Sequence, residues 1–256
     1  MKVALVTAGS GGIGKATVLS LLNNDYHVAV TGRNHAKLVE SFKDVQGKNL
    51  CFIETDLEDL ESCRNAVEKT VHTFGQLNLL VNNAGGAALH QTFENGSLEE
   101  FQSVYTLNVQ TVFFMSQYAI PFLIETRGCI INFSSILAHR PMAGLGPYCA
   151  AKAAVEMLTQ TAALELAKHK VRVLCIAPAT IQTEFHVNAG MSALQAEEYY
   201  ASSAHTHPIG RIGVPTDISE LVLFLADSSK SGFMTGSTIH IDGGRLLTSA
   251  SAFKKT

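Results

Sequence analysis

Val3-Ala4-Leu5-Val6-Thr7-Ala8-Gly9-Ser10-Gly11-Gly12-Ile13-Gly14 runs from an unbroken apolar segment into a cluster of glycines, and an amphipathic pattern continues to Leu22. An apolar run without alternation reads as a strand covered on both faces, Val3–Val6, and the pattern from Ile13 to Leu22 reads as a helix. Between them, Gly9, Gly11 and Gly14 spell G-x-G-x-x-G. Glycines permit a tight turn there and let backbone N–H groups and the positive end of a helix approach a pyrophosphate. Gly9, Ser10, Gly12, Ile13 and Gly14 are therefore candidate dinucleotide contacts. A glycine-rich turn without a ligand has the same letters, so the rest of the chain has to carry the reading.

The same alternation continues. Val28–Val30, Leu50–Ile53, Leu77–Val81, Cys129–Phe133, Val171–Ile176 and Thr238–Ile241 read as strands. Patterns at Leu60–Phe74, Leu98–Leu123, Tyr148–Lys168 and Ile218–Ala226 read as helices, the last started by Asp217 with Glu220 three residues on. Strands alternating with helices predict an α/β fold, a doubly wound parallel sheet with helices on both faces. No repeat, low-complexity tract or Pro/Gly linker divides the 256 residues, so a single domain is expected. Glu184–Arg211 breaks the alternation: it is long, weakly periodic and carries Gly190, Pro208 and Gly210. Such an insertion reads as a lid or binding loop, with two short surface helices as the plainer alternative.

Apolar residues make up 46% of the chain and charged ones 16%, enough core-forming side chain to exclude intrinsic disorder. Nineteen basic residues are scattered among 22 acidic ones, for a net charge of −3, so no basic stripe points to nucleic acid. The five cysteines (Cys51, Cys63, Cys129, Cys149 and Cys175) are odd in number and lack CxxC spacing, which predicts reduced thiols rather than a disulfide framework or a zinc site. His205 and His207 read as solvated loop histidines; two ligands do not make a site, and no metal is expected. The N-terminal apolar run is short and leads into glycines without a cleavage site, unlike a signal peptide. The most apolar helical stretch, Val112 to Ile124, is interrupted by Ser116, Gln117 and Pro121, short of the ~18 residues of a membrane span. Ala252–Thr256 matches no address signal. A cytoplasmic protein with neither nucleic acid nor membrane as partner is expected.

Three further features bear on chemistry. The second strand ends Thr31-Gly32-Arg33-Asn34, with no acid to grip a ribose 2′-hydroxyl. Arg33 offers a bidentate, charge-assisted donor to a 2′-phosphate, which favours NADP(H), with NAD(H) as the alternative. Tyr148 and Lys152, four apart on one helix face, form a pair in which an ammonium stabilises a phenolate and lowers a tyrosine pKa from near ~10. Ser135 and Asn82-Asn83-Ala84-Gly85 follow predicted strands, at the edge where doubly wound sheets place their ligand crevice.

Taken together these motifs resemble the short-chain dehydrogenase/reductases, in the form of about 250 residues, over nearly the whole chain. Thr7 to Gly14 stands where that family has Thr-Gly-x-x-x-Gly-x-Gly, and Asn82-Asn83-Ala84-Gly85 matches its Asn-Asn-Ala-Gly signature. Asn108 in Leu107-Asn108-Val109, with Ser135, Tyr148 and Lys152, matches the catalytic tetrad. Asp56 and the adjoining Leu57 fall where the family contacts adenine, Asn83, Ala84 and Gly85 where it lines the cofactor, and Pro178, Ile181 and Thr183 in the stretch that closes over the nicotinamide. Asp242-Gly243-Gly244 resembles its last-strand motif. There are departures: Ala8 replaces the first turn glycine, and Leu174 and Ala179 replace the Asn and Gly of Asn-x-x-x-Pro-Gly. Ala8 is expected to tighten the approach to the cofactor and Leu174 to remove a structural polar group.

The resemblance implies a Rossmann-like sheet of about seven strands, and hydride transfer between NADP(H) and a small-molecule carbonyl/alcohol substrate. On that basis Tyr148 moves the proton and Ser135 holds the carbonyl oxygen. Lys152 lowers the Tyr148 pKa and holds the nicotinamide ribose, and Asn108 positions a relay water. The family also implies a homodimer or homotetramer, here through Leu98–Leu123 and Tyr148–Lys168. Met142, Leu145 and Phe185 are candidates for an apolar pocket, with His139 near it. Specificity is expected in Ala87–Thr92, Leu137–Leu145 and Glu184–Arg211. Alternatives are an enoyl reductase on the same fold, a cofactor-sensing binding protein without turnover, and a sugar-nucleotide epimerase, disfavoured because no extra C-terminal substrate domain is present.

Overall fold

The run at Val3–Val6 forms β1 (Lys2–Val6), which lies inside a sheet, paired in parallel with β2 (Tyr26–Gly32) and β4 (Leu79–Asn82). In this computed structural model, residues 1–45, 47, 49–89 and 91–248 are described. Ala252–Thr256, and His90 within the predicted 87–92 specificity segment, lie outside them. With β3 (Leu50–Glu54), β5 (Cys129–Phe133), β6 (Arg172–Pro178) and β7 (Thr238–Ile241), the sheet has seven strands in the order β3-β2-β1-β4-β5-β6-β7. Every pairing is parallel. The chain winds outward from β1 to β3, then returns to lay β4 beside β1. The crevice beyond the carboxyl ends of β1 and β4 is thus the topological switch point.

Successive strand residues point to opposite faces, so the sheet buries two separate layers. Ala4, Val6, Val28, Val30, Leu174 and Ile176 pack against Val18 and Leu21 of α1 (Gly12–Leu22), Leu38 of α2 (His35–Ser41) and Val222 and Leu225 of α9 (Pro215–Ala226). Leu5, Ala29, Leu80, Ile130 and Val173 pack the other way. They meet α3 (Leu60–Phe74) at Ala66 and Val67, α5 (Thr111–Thr126) at Met115 and Leu123, and α6 (Gly146–Leu166) at Ala163. This two-sided burial is why the strands read as apolar runs without alternation. Leu174, at the family's asparagine position, is wholly buried, so the lost polar group is replaced by core packing.

Several elements depart from expectation. The predicted Leu98–Leu123 helix is α4 (Leu98–Tyr105), a π-helical segment Thr106–Gln110, and α5. Pro121 is accommodated inside α5. By length and composition the whole run Leu98–Thr126 is long and apolar enough to cross a membrane, against the expectation that Ser116, Gln117 and Pro121 break it. Met115, Ala119 and Leu123 nevertheless pack on the sheet, and Ser116 accepts a hydrogen bond from Asn82 (3.1 Å). The α2 helix went unread: Asn34 caps it, accepting from Lys37 N (2.9 Å) in a segment too short for periodicity to show. The α9 helix begins three residues earlier than expected because Pro215 suits the first turn, and Asp217 reaches back to Val214 N (2.9 Å). Residues 184–211 contain α7 (Phe185–Asn188) and α8 (Ala193–Ser203), the latter opened by a Ser192/Gln195 capping box. His207 is 3% exposed, its Nδ1 2.8 Å from Ser203 O, so it is a core histidine and not a solvated one. A short helix, α10 (Ser228–Ser231), precedes β7.

Candidate active site

The glycine-rich turn is fixed from outside its own sequence. Thr7 Oγ1 accepts from Asn83 N (3.0 Å) and Ala84 N (2.9 Å), and Asn83 Nδ2 donates to Thr7 O (2.9 Å) and Ala8 O (3.1 Å). The Asn-Asn-Ala-Gly segment after β4 thereby staples the turn after β1. A methyl on Gly14 would lie 2.6 Å from Ala8 O and 2.7 Å from Asn83 Nδ2, and one on Gly9 would lie 2.3 Å from Val30 Cγ2. Ser41 Oγ donates to Ser10 O (2.7 Å) from α2. The α1 helix opens at Gly11 with no side-chain cap and no acid in its first turn, so its N–H groups face the crevice. The turn therefore has the close-approach backbone and positive helix end that a dinucleotide pyrophosphate requires.

Ala8 adopts φ 50°, the left-handed region, which explains why a glycine suits this position. Ala8→Gly is expected to stabilise the protein by about 1 kcal/mol in urea unfolding, since it relieves a Cβ clash in the native turn. Ala179 shows no such requirement. It is absent from the positive-φ residues, and its N–H donates to Ile241 O (3.2 Å).

At the end of β2, Arg33 is exposed and in no ion pair among the described residues. Lys37, in the first turn of α2, pairs with Glu184 (3.1 Å), and Glu184 Oε2 lies 3.6 Å from where a Gly11 methyl would stand. Asp56 is exposed and accepts from Glu58 N (3.0 Å); Leu57 is buried, and its carbonyl accepts from Thr111 Oγ1 (2.9 Å). Pro178 ends β6, and Ile181 is buried beside Gly213. Thr183 Cβ would lie 3.1 Å from a Gly12 methyl, while Thr183 O accepts from Tyr200 Oη (2.6 Å). The start of the 184–211 segment thus rests on the glycine turn.

The catalytic candidates converge one strand further along. Asn108, wholly buried, sits in the π-helical segment. Such segments widen a helix locally and often mark functional sites. Its Nδ2 donates to Gly86 O (2.8 Å) and Val104 O (2.8 Å). A methyl on Gly85 would lie 2.9 Å from Asn108 Oδ1 and 3.0 Å from Lys152 Nζ, so this glycine is the gap into which both groups point. Lys152 Nζ donates to Phe133 O (2.9 Å) and stands 5.5 Å from the Tyr148 ring centre. Ser135 follows β5 and accepts from Leu137 N (3.2 Å). Burial pushes the Tyr148 hydroxyl well above its ordinary pKa, and the Ser135 hydroxyl pulls it partly back. Burial likewise pulls Lys152 down to about 8. The lowering of Tyr148 that a neighbouring ammonium implies thus has to work against the desolvation of both groups.

Around Tyr148 the walls are apolar. Val104, Leu145 and Ala151 are buried with it, and Ala87, Ala88, Leu89, Leu137 and Phe185 pack against them. The Phe185 ring centre is 5.9 Å from that of Tyr148, and Met142 is 44% exposed, outside this cluster. A cavity of about 340 Å³ lies between Ala87–Leu89, Glu100 and Asn188–Gly190. A second, about 490 Å³, lies against the 184–211 segment, between Val187, Ala196, Tyr200 and Ile212. Among the described residues, no group of three His, Cys, Asp or Glu side chains is placed to hold a metal. Sequence reasoning placed Thr7 in the turn motif but missed its role as acceptor, and missed the Lys37–Glu184 pair and Glu156, a buried carboxylate on α6. Only the position of Glu156 four residues after Lys152 hinted at its place.

A family model described as enoyl-(acyl carrier protein) reductase matches residues 7–245. The chain is 33% identical over 253 residues to the 3-oxoacyl-[acyl-carrier-protein] reductase FabG of Thermotoga maritima, covering 96% of this chain and 98% of that protein. Among solved structures it resembles a short-chain dehydrogenase/reductase of unknown function from Caenorhabditis elegans, solved with cofactor. The TM-score is 0.92 at 30% identity, over 97% of this chain and 96% of that one. It also resembles ElxO with NADP bound, with a TM-score of 0.88 at 31% identity over 96% and 99%.

Proposed function

The chain belongs to the short-chain dehydrogenase/reductase family, an oxidoreductase family, and from that premise we propose that it interconverts a carbonyl and an alcohol with NADP(H) as its preferred cofactor. The observation that carries this reading is the meeting of Asn108 Oδ1 and Lys152 Nζ at Gly85, with Tyr148 beside Lys152 and the glycine cradle across the same crevice. A nicotinamide supplies or accepts hydride when bound; the chain's own groups handle the proton. Tyr148, held protonated by burial, gives its hydroxyl proton to the carbonyl oxygen. Ser135 donates to the same oxygen and stabilises its developing charge. Lys152 offsets the phenolate that Tyr148 becomes and would hold the ribose side of the cofactor. Asn108, beside it, positions the path by which the proton is replaced. The apolar wall of Val104, Leu145 and Phe185 supports an uncharged, apolar carbonyl substrate.

Gly9, Ser10, Gly12, Ile13 and Gly14 would hold the pyrophosphate, with Asp56, Leu57, Asn83, Ala84 and Gly85 along the adenine and ribose side and Pro178, Ile181 and Thr183 over the nicotinamide. Arg33, free of a carboxylate among the described residues, supports the NADP(H) preference. Arg33→Ala is expected to weaken NADPH binding about tenfold or more and leave NADH binding within about twofold, read by calorimetric titration of each. An equal change for both cofactors would count against a 2′-phosphate contact.

We read residues 1–256 as one domain with 184–211 as its substrate lid, supported by the Phe185–Tyr148 packing. A homodimer or homotetramer is supported by Phe101, Phe113, Met157 and Leu164, all exposed on α4, α5 and α6. Five free cysteines, three of them buried, suit a cytoplasmic setting. Nicotinamide absorbance with a panel of ketones and alcohols tests the activity. The second reading, reduction of a carbon–carbon double bond, follows from the description of the matching family model. Consumption of NADPH with enoyl thioesters but no ketone would select it.

A further inference from the structure

The reaction proposed above makes no use of Glu156, yet this residue is 7% exposed and sits beside the catalytic groups. Four residues after Lys152 and eight after Tyr148, it shares their face of α6. Glu156 Oε1 accepts from Ser134 Oγ (2.7 Å), and Oε2 lies 2.8 Å from His139 Nε2. The Ser134 hydroxyl is also 2.9 Å from Lys152 O, but it carries a single proton, and a carboxylate outcompetes a neutral carbonyl for it. Ser134 immediately precedes Ser135, and its N–H donates to Ile176 O (2.8 Å) on β6.

We propose that Glu156 is a positioning residue, whose buried carboxylate ties the strand end carrying Ser135 to the helix carrying Tyr148 and Lys152, with His139 as its outer partner. The inference rests on the carbonyl/alcohol reading above and deepens it. The gap between the Ser135 and Tyr148 hydroxyls is set by two separate parts of the chain. The Lys152 Nζ–Phe133 O bond ties them at one point, and Glu156–Ser134 ties them at the next residue along the strand. A leucine of similar volume would bury more cheaply than a carboxylate, so packing alone does not account for the residue. His139, partly exposed and packed edge-on against His240 (4.8 Å), closes the carboxylate off from the solvent side and satisfies its second oxygen. A sub-ångström shift between two groups that must reach the same oxygen costs rate without costing cofactor affinity.

Steady-state kinetics with the best ketone and calorimetric NADPH binding on the full chain test this. Glu156→Leu and Ser134→Ala are expected to lower kcat about ten- to hundredfold while KM and the NADPH Kd stay within about twofold. Glu156→Gln, which keeps an acceptor for Ser134, and His139→Gln, which keeps a donor for Glu156, are expected to retain kcat within about threefold. If Glu156→Leu does not fold, Ser134→Ala carries the same expectation. Wild-type kcat in a folded Glu156→Leu or in Ser134→Ala overturns the proposal. So does a parallel loss of kcat and cofactor affinity, or a Glu156→Gln enzyme as impaired as Glu156→Leu. If the wild type turns over no ketone, or if Tyr148→Phe retains full activity, the carbonyl reading itself fails and this inference falls with it.

Discussion

Tyr148→Phe is expected to lower turnover by about 10²–10⁴-fold, the range for loss of a positioned general acid, while leaving the NADPH Kd within about twofold. The substitution removes only the hydroxyl. The ring keeps its contacts with Val104, Leu145 and Phe185, so the variant should fold and bind cofactor as the wild type does. Single-turnover absorbance, with cofactor binding measured in parallel, separates the two effects. Full activity in this variant would remove Tyr148 from the mechanism. The pH dependence should carry the same signature. Tyr148 is held above its ordinary pKa by burial, so the acid form needed for carbonyl reduction is present at neutral pH. Lys152, pulled down to about 8, loses its charge as pH rises through that value, and with it the group that offsets the developing phenolate. Reduction should therefore hold below pH ~8 and decline above it, as read from the pH profile of kcat.

Gly14→Ala is expected to be nearly as damaging, for a steric reason. Its methyl would stand 2.6 Å from Ala8 O, 2.7 Å from Asn83 Nδ2 and 2.8 Å from Gly9 Cα. Two of these are backbone atoms of the turn, and the third is anchored by hydrogen bonds to Thr7 O and Ala8 O. Nothing there yields without opening the turn. Overpacking of this kind costs about 1–3 kcal/mol of stability, and the displaced N–H groups should weaken NADPH binding by at least about tenfold. Urea unfolding with calorimetric titration checks both. An unchanged Kd would mean that the turn does not touch the cofactor.

Most of the architecture was legible because two-sided burial leaves a strong trace: β1 and β5 carry little but apolar or β-branched side chains and fall where the runs placed them. The α2 helix was not legible, since seven residues held by one Asn34 cap show no period. The π-helical segment around Asn108 was invisible for a different reason. Inserting a wider turn changes which carbonyl a donor meets but leaves the apolar pattern of the flanking helices continuous. His207 was misread because its burial depends on the segment around Gly243 and Gly244, far along the chain, folding back against it.

The candidate site divides in the same way. Gly9, Gly14, Ser135, Tyr148 and Lys152 stood out in the sequence because a strand-to-helix turn and an i, i+4 helix face are local geometries, although it was the resemblance of the whole set to a family that gave them roles. Tertiary structure alone decided that Asn83 fastens the turn after β1, that Gly85 is the gap between Asn108 and Lys152, and that Glu156 reaches Ser134. It also set the direction in which these groups shift, since burial raises Tyr148 and lowers Lys152 against the attraction that their spacing suggested. The contacts join segments 22 to 76 residues apart, and desolvation depends on everything packed around a group. The chain order of the residues carries neither.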